Sequence, residues 1–224
     1  MDIREAISLR HSVRKYRDQP IEGNTLELLE AYIADVSRES GLHLQLVRNE
    51  PRAFKSGIIK YGGFSNANNY IAMIGPKGDA LRETCGYYGE KIVLYAQTIG
   101  LNTCWVGFRV GYVPDVYELA RDEELALVIA IGYGENSGRQ HRSKRPEKVS
   151  NLSETSPEWF RKGVEAALLA PTAINQQHFY FTHEGGNEVS VKKTYGPFSD
   201  VDLGIVRLHF ELGAGKENFV WKEK

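Results

Sequence analysis

An α+β fold, with a mixed and largely antiparallel sheet flanked by helices in two quasi-repeated halves, is what this 224-residue sequence predicts. Three observations lead there. Apolar residues switch between the three-to-four spacing of amphipathic helices and the alternation of strands. Phe179 to Thr182, the tight turn Gly185-Gly186-Asn187 and Val189 to Lys193 read as a hairpin. Finally, the order helix, strand, loop, strand, helix, glycine stop and Trp-containing tail occurs twice.

The elements follow in order. Asp2 to Leu9 puts Ile3, Ala6 and Ile7 on one face of a short helix. After Tyr16 and the extended link Gln19-Pro20-Ile21, Asn24 is the expected N-cap, with Glu27 three residues on. Leu26, Leu29, Tyr32, Ile33 and Val36 carry that helix to its stop at Gly41, and Leu42, Leu44 and Leu46 then alternate as a strand. Residues 51–69, with Gly57, Gly62 and Gly63, read as a loop around one short extended piece, and Tyr70 to Ile74 as a buried strand. A long helix is expected from about Asp79 to Ile99, ended by Gly100. A Pro114-led helix and a strand from Leu125 to Ile131 come next, and the polar, basic segment Gly132 to Ser150 passes for a linker. The predicted division is therefore 1–150 and 151–224. Ser156-Pro157-Glu158 opens the second half with Pro157 at the first helical position, Trp159 to Leu169 forms the helix body and Pro171 ends it. A last helix covers about Asp202 to Leu212. Leu28 to Val47 overlays Gly163 to Thr182 without a gap, which favours an internal duplication over chance similarity of two helix–strand units.

Composition narrows the function. The hydrophobic fraction of 42% and charged fraction of 25% are those of a globular protein. A net charge of -1 and a pI near 6.6 create no field that favours nucleic acid or an anionic membrane. Local basic clusters suit a single bound anion better than a polymer. No apolar run is long enough to span a bilayer, and acid and base within the first five residues do not suit a signal peptide, so a cytoplasmic protein is expected. Cys85 and Cys104 have neither metal spacing nor the pattern of a disulfide framework, and no metal site is expected.

Four stretches carry chemistry. Arg10-His11-Ser12-Val13-Arg14-Lys15-Tyr16 follows the first helix. A helix C-terminus repels anions, so an anion here needs side chains, and the planar fork of arginine suits that task; a solvated basic helix end is the alternative. Gly100-Leu101-Asn102-Thr103-Cys104-Trp105-Val106-Gly107 is a turn in which Trp105 by itself reads more readily as a core residue, and Cys104 reads as a small buried hydrophobe. Ile131-Gly132-Tyr133-Gly134 leads to His141-Arg142-Ser143-Lys144-Arg145-Pro146, where Arg142 and Lys144 would project to one side of an extended chain. Ala170-Pro171-Thr172-Ala173-Ile174-Asn175-Gln176-Gln177 is a helix stop whose small and polar residues permit close approach of a flat ligand. His209, in an apolar helix, reads as a packed core histidine.

Together these stretches resemble the nitroreductase family of flavoproteins, and the resemblance implies the nitroreductase-like form of the α+β fold and an FMN cofactor. It implies that Arg10, His11 and Ser12 meet the FMN phosphate and ribityl chain, that Arg14 reaches the pyrimidine edge, and that Arg142 and Lys144 join the phosphate pocket. Trp105, Val106 and Gly107 would form the turn whose backbone N–H groups face N5 and O4. Pro171, Thr172, Ala173 and Asn175 would lie beside the flavin and the substrate, with the loop from Tyr61 to Asn68 on the ring's other side. The departure is one of order: the Ala-Pro-Thr-Ala motif, usual in the first half, stands here only in the second. That implies a divided site with one FMN per chain at the junction of the halves, in a monomer of pseudo-dimeric halves or a homodimer. The implied activity is hydride transfer from NAD(P)H through flavin N5 to a small-molecule acceptor such as a nitro compound or quinone, with no catalytic acid–base side chain. A non-catalytic flavin-binding protein for storage or sensing is the second reading, and a scaffold that has lost FMN the third.

Overall fold

Local chemistry sets the helix ends. In the computed structural model, which describes residues 1–55, 62–107, 113 and 115–222, Asp2 caps α1 (Ile3–Leu9). Its carboxylate accepts from Glu5 N at 2.8 Å while Asp2 N donates to Glu5 Oε2 at 3.0 Å, a reciprocal capping box. The second helix, α2 (Gly23–Ser40), starts one residue before the predicted Asn24 cap; Glu22 holds the N-cap position without a side-chain bond. Gly41 ends it in the left-handed region at φ 71°, as expected. The helix expected at 79–99 is α3 (Leu81–Thr98).

The chain forms two compact units, 1–81 with 91–140 and 82–90 with 141–224. They part at 140/141 rather than at the predicted 150/151, because the supposed linker is bonded into the second unit. His141 Nε2 and Ser143 Oγ reach Leu168 O at 2.9 and 3.0 Å, and Phe181 N donates to Val149 O at 2.8 Å.

The first unit holds a four-stranded antiparallel sheet of β1 (Gln45–Val47), β2 (Tyr70–Pro76), β3 (Asn102–Val106) and β4 (Glu123–Gly132), in the order β1-β2-β4-β3. The central β4 is buried from Ala126 to Ile131, and Tyr16, Tyr70, Ala72, Cys104 and Val128 belong to one core cluster with it. Of the alternating 42–47 segment only the last three residues pair as a strand; Leu42 and Leu44 are nonetheless buried. Gly57 and Pro114 lie outside the described residues. Residues 115–122 are turns, bends and irregular chain, not the predicted helix; Lys77 N donates to Asp122 O at 2.9 Å and Glu118 N donates to Gln45 Oε1 at 2.8 Å.

The second unit builds on α4 (Glu158–Ala167), β5 (Phe179–Gly185), β6 (Glu188–Lys193), α5 (Ser199–Ala214) and β7 (Val220–Trp221). Pro157 occupies the N-cap of α4, one position before the predicted one. β5 and β6 form the expected antiparallel hairpin, and β7 runs parallel to β6. An aromatic cluster fills this core: Phe210 stacks on Phe181 at 4.6 Å and meets Phe160, Phe219 and Trp221. His209 is a core histidine, as predicted; Nδ1 donates to Ala166 O at 3.1 Å and Nε2 pairs with Glu90 Oε1 at 2.8 Å. Helix-then-strand order recurs in 28–47 and 163–182, but the two sheets differ in strand number and order. Among the described residues no helix is long and apolar enough to cross a membrane.

Candidate functional site

In the first unit the Arg10–Tyr16 stretch is an extended ribbon stitched to three separate pieces of chain. Arg10 ends α1, its N–H donating to Ala6 O at 2.8 Å. Ser12 then bridges Thr103 of β3, and Val13 N donates to Thr103 O at 3.0 Å. Arg14 O accepts from Ser65 N at 3.0 Å and Tyr16 N donates to Ser65 O at 3.0 Å. Beyond β4, Arg17 N donates to Tyr133 O at 2.8 Å and Glu135 N to Lys15 O at 2.9 Å. The buried Tyr16 hydroxyl donates back to Val13 O at 2.6 Å.

The glycine at 134 has a steric reason. A Cβ there would lie 2.6 Å from Asn102 Oδ1 and 2.7 Å from Asn136 O, and Asn102 Oδ1 already accepts from Gly134 N at 3.0 Å. Two of the four chemistry-bearing stretches thus meet at β3, and the glycines after β4 close against them. Arg10 is buried at 4% exposure, Ser12 and His11 are half-buried and Arg14 is exposed. Burial pushes the Cys104 thiol above its ordinary range, while the guanidiniums of Arg14 and Arg10 and a hydrogen bond with Ser12 pull it the other way. The sequence shows no basic neighbour for Cys104; the fold supplies two. The net direction keeps the thiol protonated and inert. Trp105 is half-buried rather than a core residue, Val106 is buried and Gly107 follows the strand end.

Also in this unit, Phe64, Asn66 and Asn68 of the predicted ring-side loop border an open cleft of about 400 Å³ together with Pro51 and Phe54. Tyr61 lies outside the described residues.

In the second unit the structure brings the other two stretches together. Pro171 is buried and Thr172 extended, and Ala173–Asn175 makes a 3₁₀ turn. Ile174, Asn175 and Gln177 have φ of 46°, 57° and 46°. This region is costly for any side chain with a Cβ and most so for β-branched isoleucine. Ile174 stands at the apex, 83% exposed.

Side chains brace the turn from within. Thr172 Oγ1 accepts from Gln177 N at 3.0 Å. Asn175 Nδ2 and Gln177 Nε2 both donate to Arg142 O, at 2.9 and 3.1 Å, and Asn175 Oδ1 accepts from Gln177 Nε2 at 2.8 Å. Lys144 N donates to Gln177 Oε1 at 2.7 Å and Lys144 Nζ to Gln177 O at 3.0 Å. The amide of Asn175, expected to lie beside the flavin, is engaged within the chain, and Arg142 and Lys144 are presented as exposed cations. Among the described residues Lys144 Nζ has one protein acceptor for its three donors.

Asp202 was not predicted. Its Oδ1 accepts from Ala173 N at 2.9 Å and its Oδ2 from Gln176 Nε2 at 2.9 Å. Burial pushes its pKa up to about 6, against the pull of these hydrogen bonds. The only sequence signal was an acid inside the apolar run Val201-Asp202-Leu203-Gly204-Ile205-Val206. Among the described residues no group of three or more His, Cys, Asp or Glu is arranged to hold a metal ion.

A family model described as "Putative TM nitroreductase" matches residues 2–214 of the chain. The chain is 27% identical over 154 residues to a "Putative NADH dehydrogenase/NAD(P)H nitroreductase" of Methanothermobacter thermautotrophicus, a match spanning 62% of this chain and 81% of that protein. Among solved structures, a "putative nitroreductase" of Thermotoga maritima superposes with a TM-score of 0.70 at 23% identity, covering 100% of this chain and 89% of that one. A second, from Desulfovibrio desulfuricans and crystallised in complex with FMN, gives a TM-score of 0.54 at 20% identity over 70% of this chain and 99% of that one. The predicted nitroreductase-like α+β fold is the fold observed.

Proposed function

This chain belongs to the "Putative TM nitroreductase" family, and on that premise we propose that it is an FMN-dependent NAD(P)H oxidoreductase acting on nitro compounds, quinones or similar small acceptors. The observation that carries the proposal is the bonding of the Arg10–Arg14 ribbon to β3 through Ser12 and Thr103, which sets two guanidiniums and a hydroxyl around one strand. When bound, FMN supplies the hydride chemistry between a nicotinamide and an acceptor.

The donor set fits the group. Within the first unit, Arg10 and Ser12 are a guanidinium and a hydroxyl of the kind a phosphate requires, with Arg14 the cation for the pyrimidine edge; within the second, Arg142 and Lys144 are exposed cations of the same phosphate-binding chemistry, and charge-assisted bonds of this type contribute about 1.5–3 kcal/mol each. His11 would stand beside the ribityl chain. Trp105, Val106 and Gly107 would offer backbone N–H groups, which stabilise the negative charge that reduction brings. Pro171, Thr172 and Ala173 would form an apolar and hydroxyl-bearing wall that excludes water, and Asn175 would act through its hold on Arg142. No side chain of this set needs to exchange a proton for such chemistry.

The test is the visible spectrum of the purified protein, with released flavin measured per chain, followed by anaerobic addition of NADH or NADPH. A yellow protein with about one FMN per chain that bleaches with a nicotinamide is the expected result. Bound flavin that does not bleach would assign the storage or sensing role instead. A colourless protein that takes up no added FMN would overturn both.

A further inference from the structure

We propose that Asp202 is a positioning residue: from α5 it clamps the Ala173–Gln177 turn, and through the turn it sets Arg142 and Lys144 for an anionic ligand. The proposal deepens the FMN assignment and rests on it for the identity of the ligand, though not for the clamp itself.

The geometry is a continuous chain of hydrogen bonds. At one end the Asp202 carboxyl, 3% exposed, accepts from Ala173 N and Gln176 Nε2, both at 2.9 Å. The same Gln176 amide donates to Pro197 O at 2.7 Å, tying in the loop that leads to α5. Between and just beyond these anchors the backbone must hold Ile174, Asn175 and Gln177 at positive φ. Such conformations persist only where the surroundings over-determine them. At the far end Asn175 and Gln177 converge on Arg142 O, and Gln177 holds Lys144 N and Nζ. A carboxyl among Val201, Leu203 and Ile205 is unfavourable for packing alone, since an apolar side chain would bury there without desolvation cost. What the acid provides is a pair of acceptors aimed at one turn. Asp202 itself need not touch ligand.

The test is amide hydrogen exchange on the full chain, comparing wild type with Asp202→Asn. The asparagine keeps the shape but turns one acceptor into a donor facing Gln176 Nε2. The expected result is exchange about tenfold faster or more in residues 172–177 and 142–145, with the β5–β6 hairpin as protected as in wild type. FMN affinity, read by fluorescence quenching, should weaken by about tenfold, and the visible circular dichroism of bound flavin should change. A role confined to packing would lower the melting temperature and leave the affinity and the dichroism unmoved, which would overturn the proposal. So would wild-type exchange in 172–177 of a folded variant. Should Asp202→Asn not fold, Gln176→Leu removes the Nε2 group that donates to both Asp202 and Pro197 O and leaves the acid; faster exchange in the same residues supports the clamp, and unchanged exchange overturns it. If wild-type protein binds no FMN, the flavin assignment fails while the exchange data still decide the clamp.

Discussion

Asp202→Asn should also flatten the pH dependence of the second unit's stability between about pH 4 and pH 6. Burial raises this carboxyl to about 6 in the folded protein, whereas an aspartate in an unfolded chain titrates near ~3.9. The folded state therefore holds the proton more tightly. The stability linked to that proton is fully present below about pH 4 and is lost as pH rises through about 6. The gap from about 3.9 to about 6 corresponds to about 3 kcal/mol across the window. Three other acids act in the opposite sense: hydrogen bonds from Arg52, His43 and Ser190 hold Glu50, Glu123 and Glu184 below the ordinary carboxylate value. Their contribution is lost as pH falls, and subtracting the variant from wild type at each pH cancels it. Urea unfolding followed by tryptophan fluorescence is the assay, since Trp159 and Trp221 both lie in the second unit with Asp202. Wild type should gain on the variant by up to about 3 kcal/mol from pH 7 to pH 4. A difference that is flat, or that grows as pH rises, would refute the reasoning. The altered hydrogen bonding of asparagine is a constant offset and does not mimic the slope.

Other substitutions follow from single contacts. Phe210→Ala should destabilise the second unit by about 3–5 kcal/mol in urea titrations, because a fully buried ring stacked on Phe181 would leave a cavity. Gly134→Ala should cost about 1–3 kcal/mol and weaken FMN binding, since its Cβ would press on Asn102 Oδ1 and Asn136 O beside the Arg10–Tyr16 ribbon. Arg10→Ala and Arg14→Ala should each weaken FMN affinity by about tenfold or more, measured by flavin fluorescence, with the loss from exposed Arg14 shrinking at high salt. Cys85 and Cys104, both buried, should resist a thiol reagent in the native protein and titrate as two thiols in denaturant.

Helices were legible in the sequence because their ends are written locally. Gly41 at positive φ needs no tertiary partner to be recognised as a stop, whereas Asn24 with Glu27 has the spacing of a cap at a place where Glu22 holds the N-cap position instead. Strand extent is set by pairing, which is why Leu42 and Leu44 keep the alternation of a strand without joining one. Residues 141–150 look like a linker because they are polar, yet their bonds to Leu168 and Phe181 fasten them to the second unit. The candidate site shows the same limit. All four stretches were visible as stretches, but Ser12 with Thr103, and Arg142 with Asn175, are partners across long separations that composition and periodicity do not reveal. Asp202 was nearly invisible, since its partners lie 26 to 29 residues earlier in the chain.

Those partnerships change what the polar motif residues do. Thr172, Asn175, Gln176 and Gln177 are the obvious ligand donors in a Thr-Ala-Ile-Asn-Gln-Gln turn, yet each has a side-chain bond within the second unit. Ile174, Arg142 and Lys144 stand exposed beside them. Three left-handed residues in four would cost on the order of 1–3 kcal/mol apiece, and the seven bonds described to Arg142, Lys144, Pro197 and Asp202 are of the size needed to offset that. A turn held this way is set before any ligand arrives, so binding need not supply the ordering free energy. In the first unit the ribbon bonded to β3, Ser65 and Tyr133 has the same character. Residues that never meet a ligand should therefore affect binding as strongly as those that do, with the loss appearing as local mobility before it appears as lost fold.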